Sequence, residues 1–491
     1  MSSSLPHIPS SSAAGSTAGT DDHGDALCVV GDGQDLAFAV SLADAGHRVV
    51  LLNTADQPVD HAATVPVRVV SLADLFHPSH GYAPLRSLLV SHWLRKRRFQ
   101  HVLFRQPAAA YYTALARDLG LGPADTALWI MGTECSAVRL GRQRAFPQGR
   151  TQIELQFIEA EALRRVDGLL LDAREDEHVL TDADMPLPPR RLTWTGSVHA
   201  LPLAPGSRIA GAAPANIRIS VCLPTFNRAD ELRDAAESLL TQDADDFEVV
   251  LVDDGSTDPA ALAMIEDLRP RFDQRGWTIL RQDNAGPAQA RRAARRVANG
   301  THLLFMDDDN IALRDEIQRF TTAARGGADI LTCIPGRHPA SDLGPAVVAT
   351  IDSTDPRFPR VGIDWTPVGA CPSLAVMVNC LGDNNALIRA DVYDALGGHV
   401  GDRDFVLEDF HFLSLAVARG YRLEVVPEVL FLYRRHRQSR SMGAHLYSSH
   451  RRSLEPWLAL VPPALHPLLL QARGDWYERH RAAAIAPDEQ A

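Results

Sequence analysis

Three short polar clusters stand out, each closing an apolar run. IRISVCLPTFNR (217–228) ends in Pro224, Thr225, Asn227 and Arg228; EVVLV (248–252) runs into Asp253-Asp254-Gly255-Ser256; HLLFM (302–306) runs into Asp307-Asp308-Asp309-Asn310. Two carboxylates spaced two apart at a strand end, Asp307 and Asp309, can share one hard divalent cation with a substrate diphosphate. Magnesium and manganese accept such oxygen donors and complete their shells with phosphate and water. The cation would neutralise charge on a departing diphosphate. Taken alone, an acidic triplet also reads as a helix cap. Three polar clusters on one series of strands point instead to the carboxyl edge of a parallel sheet, where open α/β folds bind ligands.

The elements that must hold these clusters are legible as alternating strands and helices. Ile217, Ile219, Val221 and Leu223 alternate along one strand, and Leu232, Ala236, Leu239 and Leu240 form a stripe on the next helix. An earlier series opens at ALCVVGDGQDLAFAVSLADAGHRVVLLN (26–53) and continues through HVLFR (101–105), TALWIMGTE (126–134) and DGLLLDA (167–173). The predicted architecture is therefore α/β, with two Rossmann-like domains and a helical C-terminal tail. The boundaries read as a tail over 1–24, a first domain over 25–196, a proline- and alanine-rich linker over 197–216, a second domain over 217–443 and a helical extension over 444–491.

The motifs LPTFNR, VLVDDGSTD, NAGPAQARRAAR, FMDDDN and VLEDF resemble, in order and spacing, those of glycosyltransferase family 2, nucleotide-diphospho-sugar transferases of the GT-A fold. The resemblance covers about 217–442. It implies that Pro224, Thr225, Asn227, Arg228, Asp253, Asp254, Gly286, Arg291, Asp307 and Asp308 bind the nucleotide sugar, with Arg291 set to meet a phosphate. It implies Asp307 and Asp309, with His436 as a further ligand, for Mn2+ or Mg2+. Asp409 is implied as the base that takes the acceptor hydroxyl's proton, with Glu408 beside it, and Asp383 and Asn384 as acceptor contacts. The first domain resembles the acceptor-side half of GT-B family 4-type transferases, with no donor half downstream.

Composition narrows the partners. The 491 residues carry 49 Lys+Arg against 61 Asp+Glu, a net charge of −12, which argues against nucleic acid. Lys96 is the single lysine. Six cysteines without a C-x-x-C pair read as buried thiols. With no transmembrane run and no secretory signature at the N-terminus, the expected location is the cytoplasm. WLRKRRF (93–99) reads as a solvated basic helix, with an anionic lipid surface or a diphosphate-linked acceptor as the alternative contact, and PWLALVPPALHPLLL (456–470) as packed against the second domain, with a membrane's inner face as the alternative. The expected partners are a nucleotide-diphospho-sugar donor and a glycan or lipid-linked acceptor, with homodimerisation open to the first domain.

The resemblance thus implies an inverting, metal-dependent transferase that adds one sugar, UDP-linked by default, because the Q-x-x-R-W motif of processive synthases is absent. The alternative is a non-catalytic glycan-binding or scaffolding protein on the same fold. GDGQD (31–35) lacks the third glycine of a dinucleotide loop, and the second strand closes on Asn53 rather than an acid.

Overall fold

The computed structural model describes residues 26–474 apart from 58, 60–64, 76–81, 148, 173–176, 199–200, 203–215, 338–350, 354–362, 364, 402–404 and 435–445. His436 and most of the expected linker fall outside the described residues.

Two sheets form. The first holds β1 (Ala26–Gly31), β2 (Arg48–Asn53), β3 (Val67–Ser71), β4 (His101–Phe104), β5 (Ala127–Met131), β6 (Gly168–Leu171) and β7 (Arg190–Thr193). Its order is β3-β2-β1-β4-β5-β6-β7 and every pairing is parallel. β1, β4 and β5 are buried along their whole length, as strands covered by helices on both faces must be. At its switch point the GDGQD segment makes one 3-10 turn capped by Asp32, and Asp35 pairs with Arg105 at 2.7 Å.

The second sheet holds β8 (Ile219–Thr225), β9 (Phe247–Asp253), β10 (Thr278–Arg281), β11 (His302–Phe305), β12 (Ile311–Ala312), β13 (Ile330–Arg337), β14 (Ala386–Arg389) and β15 (Leu423–Tyr433). Its order is β10-β9-β8-β11-β14-β13-β15-β12. The β10-β9-β8-β11 half is parallel, and β14 turns the sheet antiparallel. The expected two-sheet α/β architecture is what the chain adopts. The carboxyl ends of β8, β9 and β11 come together, so LPTFNR, DDGS and DDDN meet at one edge.

One continuous apolar core runs through both sheets and the helices between them, so the two halves pack as one body. All six cysteines are buried and free. At the C-terminal end, Trp457 and Leu458 pack inward while Leu460, Leu465 and Leu468 remain exposed. No helix among the described residues is long and apolar enough to cross a membrane.

Candidate active site

A cleft of about 660 Å³ opens where β8, β9 and β11 end. Pro224, Thr225, Arg228, Asp254, Gly286, Arg291, Asp307, Asp308, Asp309, Asp383, Asn384, Glu408 and Asp409 line it, joined by Phe226, Asn284, Pro287, Val406 and Tyr433. Seven chain segments thus converge on one space.

The floor is built from β8 and β11. Thr225 Oγ1 donates to Asp308 Oδ2 at 2.7 Å, tying the two strand ends together. Arg228 Nη1 reaches Asp308 Oδ1 at 2.9 Å and Asp309 Oδ2 at 2.7 Å. Burial pushes the Asp308 carboxyl up to about 7, opposed by the Arg228 guanidinium. A bound cation and this arginine would therefore contend for Asp309.

The β9 end holds a backbone cradle. Asp254 accepts Ala285 N at 2.9 Å, Gly286 N at 2.8 Å and Gln282 Nε2 at 2.7 Å. Those bonds fill three of its roughly four acceptor positions. Gly255 has φ +79, and a Cβ there would lie 2.7 Å from Asn284 N, so only glycine lets the two loops approach. Gly286, at φ 90, then opens the helix Pro287–Val297.

Three of the expected nucleotide-sugar residues are held by partners within the protein. Asp253 is turned away from the cleft: it is 1% exposed, accepts Ser256 N at 2.8 Å and pairs with Arg281. Asn227 does not line the cleft either. It adopts φ 53, and its Oδ1 accepts Thr257 N at 2.7 Å and Asp258 N at 2.9 Å, bracing the two loops. Arg291, expected to meet a phosphate, is 3% exposed, with Nη1 on Glu408 at 2.8 Å and Nη2 on Asp307 at 2.6 Å. A guanidinium so deep in the protein needs carboxylate partners, and these two supply them.

The far wall is acidic. Asn384 Nδ2 donates to Asp307 Oδ1 at 3.0 Å, and its own Oδ1 is buried with no hydrogen-bond partner among the described residues. Asp409 sits in the first turn of the helix Glu408–Ala418. Desolvation, and then Glu408, push its carboxyl up to about 7. Desolvation, and then Asp409, push Asp383 up to about 8. Burial and the facing carboxylates also raise the Tyr433 phenol.

Phe226 and Tyr433 escaped the sequence reading. Phe226 is 42% exposed at the mouth of the cleft, and its signal was an aromatic ring in an otherwise polar strand-end loop. Tyr433 closes β15, 50 residues past Asp383 in sequence, so only its tertiary position reveals it.

The donor set at Asp307 and Asp309 is all hard oxygen, with side chains 33% and 18% exposed, which suits a divalent cation that takes few protein ligands. No group of three or more His, Cys, Asp or Glu among the described residues has metal-holding geometry, and His436 lies outside those residues.

Residues 220–351 match the model of glycosyl transferase family 2. The chain is similar to an uncharacterized glycosyltransferase of Rickettsia felis, 35% identical over 104 residues, which is 21% of this chain and 16% of the relative. It is also similar to the glycosyltransferase GlyG of Streptococcus pneumoniae, 34% identical over 105 residues, 20% of this chain and 33% of GlyG. It therefore spans a third or less of the length of these two relatives. Among solved structures it resembles S. aureus TarS 1-349 in complex with UDP-GlcNAc at 19% identity and TM-score 0.41, over 54% of this chain and 73% of that one. Asp383, Asn384, Glu408 and Asp409 lie beyond the stretch that matches the family model.

Proposed function

We propose that this chain, which carries a glycosyl transferase family 2 domain over 220–351, moves one sugar with inversion from a nucleoside-diphosphate sugar to a hydroxyl of a glycan or lipid-linked acceptor. The observation that carries the reading is the single cleft in which Asp307 and Asp309 from one strand end face Asp409 from a distant helix.

The exposed ring of Phe226 offers a stacking face for a nucleobase, since every base presents a π-face. The acceptor position left on Asp254 can take a base N–H, beside the backbone at Pro224 and Thr225. Asp307 and Asp309 would hold Mn2+ or Mg2+ against the diphosphate. When bound, the cation supplies charge neutralisation for the leaving group. Asp409 accepts the proton of the attacking hydroxyl, and a carboxyl raised to about 7 is well matched to that task near neutral pH. Asp383 and the Oδ1 of Asn384, which has no hydrogen-bond partner among the described residues, orient acceptor hydroxyls on the same wall. Arg291 holds Asp307 and Glu408 in place through its two Nη groups.

The test is calorimetric titration of UDP with manganese on the intact chain and on Asp309→Ala. Manganese-dependent binding that disappears in the variant supports the donor site. Binding of GDP or dTDP in its place changes the donor. No nucleotide binding by folded protein overturns the reading and leaves a scaffold on a transferase fold.

A further inference from the structure

The N-terminal sheet holds none of the cleft residues, yet it is joined to the loop that carries Asp383 and Asn384. Tyr111 and Tyr112 lie on the helix Pro107–Asp118, which is buried over nearly its whole length. Their rings are 4.7 Å apart and both hydroxyls leave their own domain. Tyr111 Oη donates to Val368 O and Tyr112 Oη to Pro367 O, each at 2.6 Å. At 2% and 0% exposure, neither hydroxyl can trade its partner for water.

The hold passes directly to the acceptor wall. Val368 N and Gly369 N both donate to Cys380 O at 3.0 Å. One residue on, Leu381 O accepts Thr332 Oγ1 from β13 at 2.8 Å. Asp383 and Asn384 follow, and Asn384 reaches Asp307. The segment around Val368 is thus gripped by the N-terminal helix on one side and by the sheet that carries the cleft on the other. Two buried ion pairs fix the same interface along β15, the strand that ends at Tyr433. Arg95 pairs with Glu428, and Arg165 with Glu424 at 3.1 Å.

We propose that the N-terminal domain is a positioning domain for the acceptor side of the cleft, with Tyr111 and Tyr112 as its positioning residues. Calling that wall the acceptor side rests on the function proposed above; the mechanical coupling does not. The donor side, built from β8, β9 and β11, meets this chain of bonds at its far end, where Asn384 donates to Asp307.

The experiment compares the full chain with Tyr111→Phe, Tyr112→Phe and the double variant, which keep both rings and remove only hydroxyls. Hydrogen exchange is followed by peptide, together with UDP and manganese calorimetry. The expected result is at least tenfold faster exchange across 366–369 and 379–385, wild-type exchange in β8, β9 and β11, and UDP affinity within twofold. Once an acceptor is in hand, its KM rises while the donor KM holds. Wild-type exchange over 379–385 overturns the proposal, and so does acceleration spread evenly over both sheets, which marks general loss of stability. The single variants decide the matter should the double variant not fold. Failure of the wild-type chain to bind any nucleotide would sink the function and leave the exchange result standing.

Discussion

Arg291 Nη1 donates to Glu408 Oε1 at 2.8 Å across 117 residues of sequence, and the same guanidinium holds Asp307 at 2.6 Å. One buried cation therefore spans the cleft, joining a strand-end aspartate to the glutamate beside Asp409. Its planar fork is what lets it serve both partners.

Replacing Arg291 by Met leaves two carboxylates without their countercharge. The expected loss is about 3–5 kcal/mol of stability, as for one half of a buried pair. Arg291→Lys keeps the charge but not the fork, and should fall between. Chemical denaturation measures both; a loss below about 1 kcal/mol in the Met variant would show that the pairs are not what holds this wall.

Arg228 Nη1 donates to Asp309 Oδ2 at 2.7 Å. Arg228→Leu is expected to tighten manganese binding without nucleotide by roughly three- to tenfold, the scale of a partly exposed ion pair. The same variant should bind UDP more weakly, having lost a guanidinium that can turn to the diphosphate. Free Mn2+ measured by electron paramagnetic resonance reads the first effect. Unchanged or weaker manganese affinity would rule out the competition.

Local signals exposed the donor side well because each of its clusters follows its own apolar strand, and a parallel sheet must gather those ends. Asn227 and Asp253 look alike on paper to Thr225 and Asp254. Their inward turn depends on an αL backbone at Asn227 and on Arg281 from the neighbouring strand, which no motif encodes. Arg291 was recognisable as a site residue but not its partners, since Glu408 arrives from a distant helix. The tyrosine contacts to Pro367 and Val368 cross about 255 residues of chain and leave no periodic trace.

Asp409→Asn removes the proposed proton acceptor without changing shape. Transfer should fall by about 10²–10⁴-fold while UDP and manganese binding stay within a few-fold. The raised carboxyl also sets the pH response: Asp409 is protonated below about 7, so kcat/KM in the wild type should decline as pH falls through that value. A profile flat from pH 8 to pH 5, or a fully active Asn variant, would assign the base elsewhere.

Glu316 gives a stability prediction separate from turnover. It is 0% exposed, with Oε1 accepting Asn385 Nδ2 at 2.6 Å and Oε2 without a hydrogen-bond partner among the described residues. Desolvation pushes its carboxyl up to about 8 from an ordinary value of 4.5. Between those values the native state keeps a proton that the unfolded chain has released, so this group makes folding less favourable as pH rises from about 4.5 to 8, and adds no further slope above. Glu316→Gln keeps the shape and the acceptor for Asn385 while removing the titration. The variant's stability relative to wild type should therefore climb across that window, by on the order of 2–4 kcal/mol at pH 8. Urea unfolding at pH 5, 6.5 and 8 checks it, and a constant difference at all three would mean that Glu316 is ionised in the native protein.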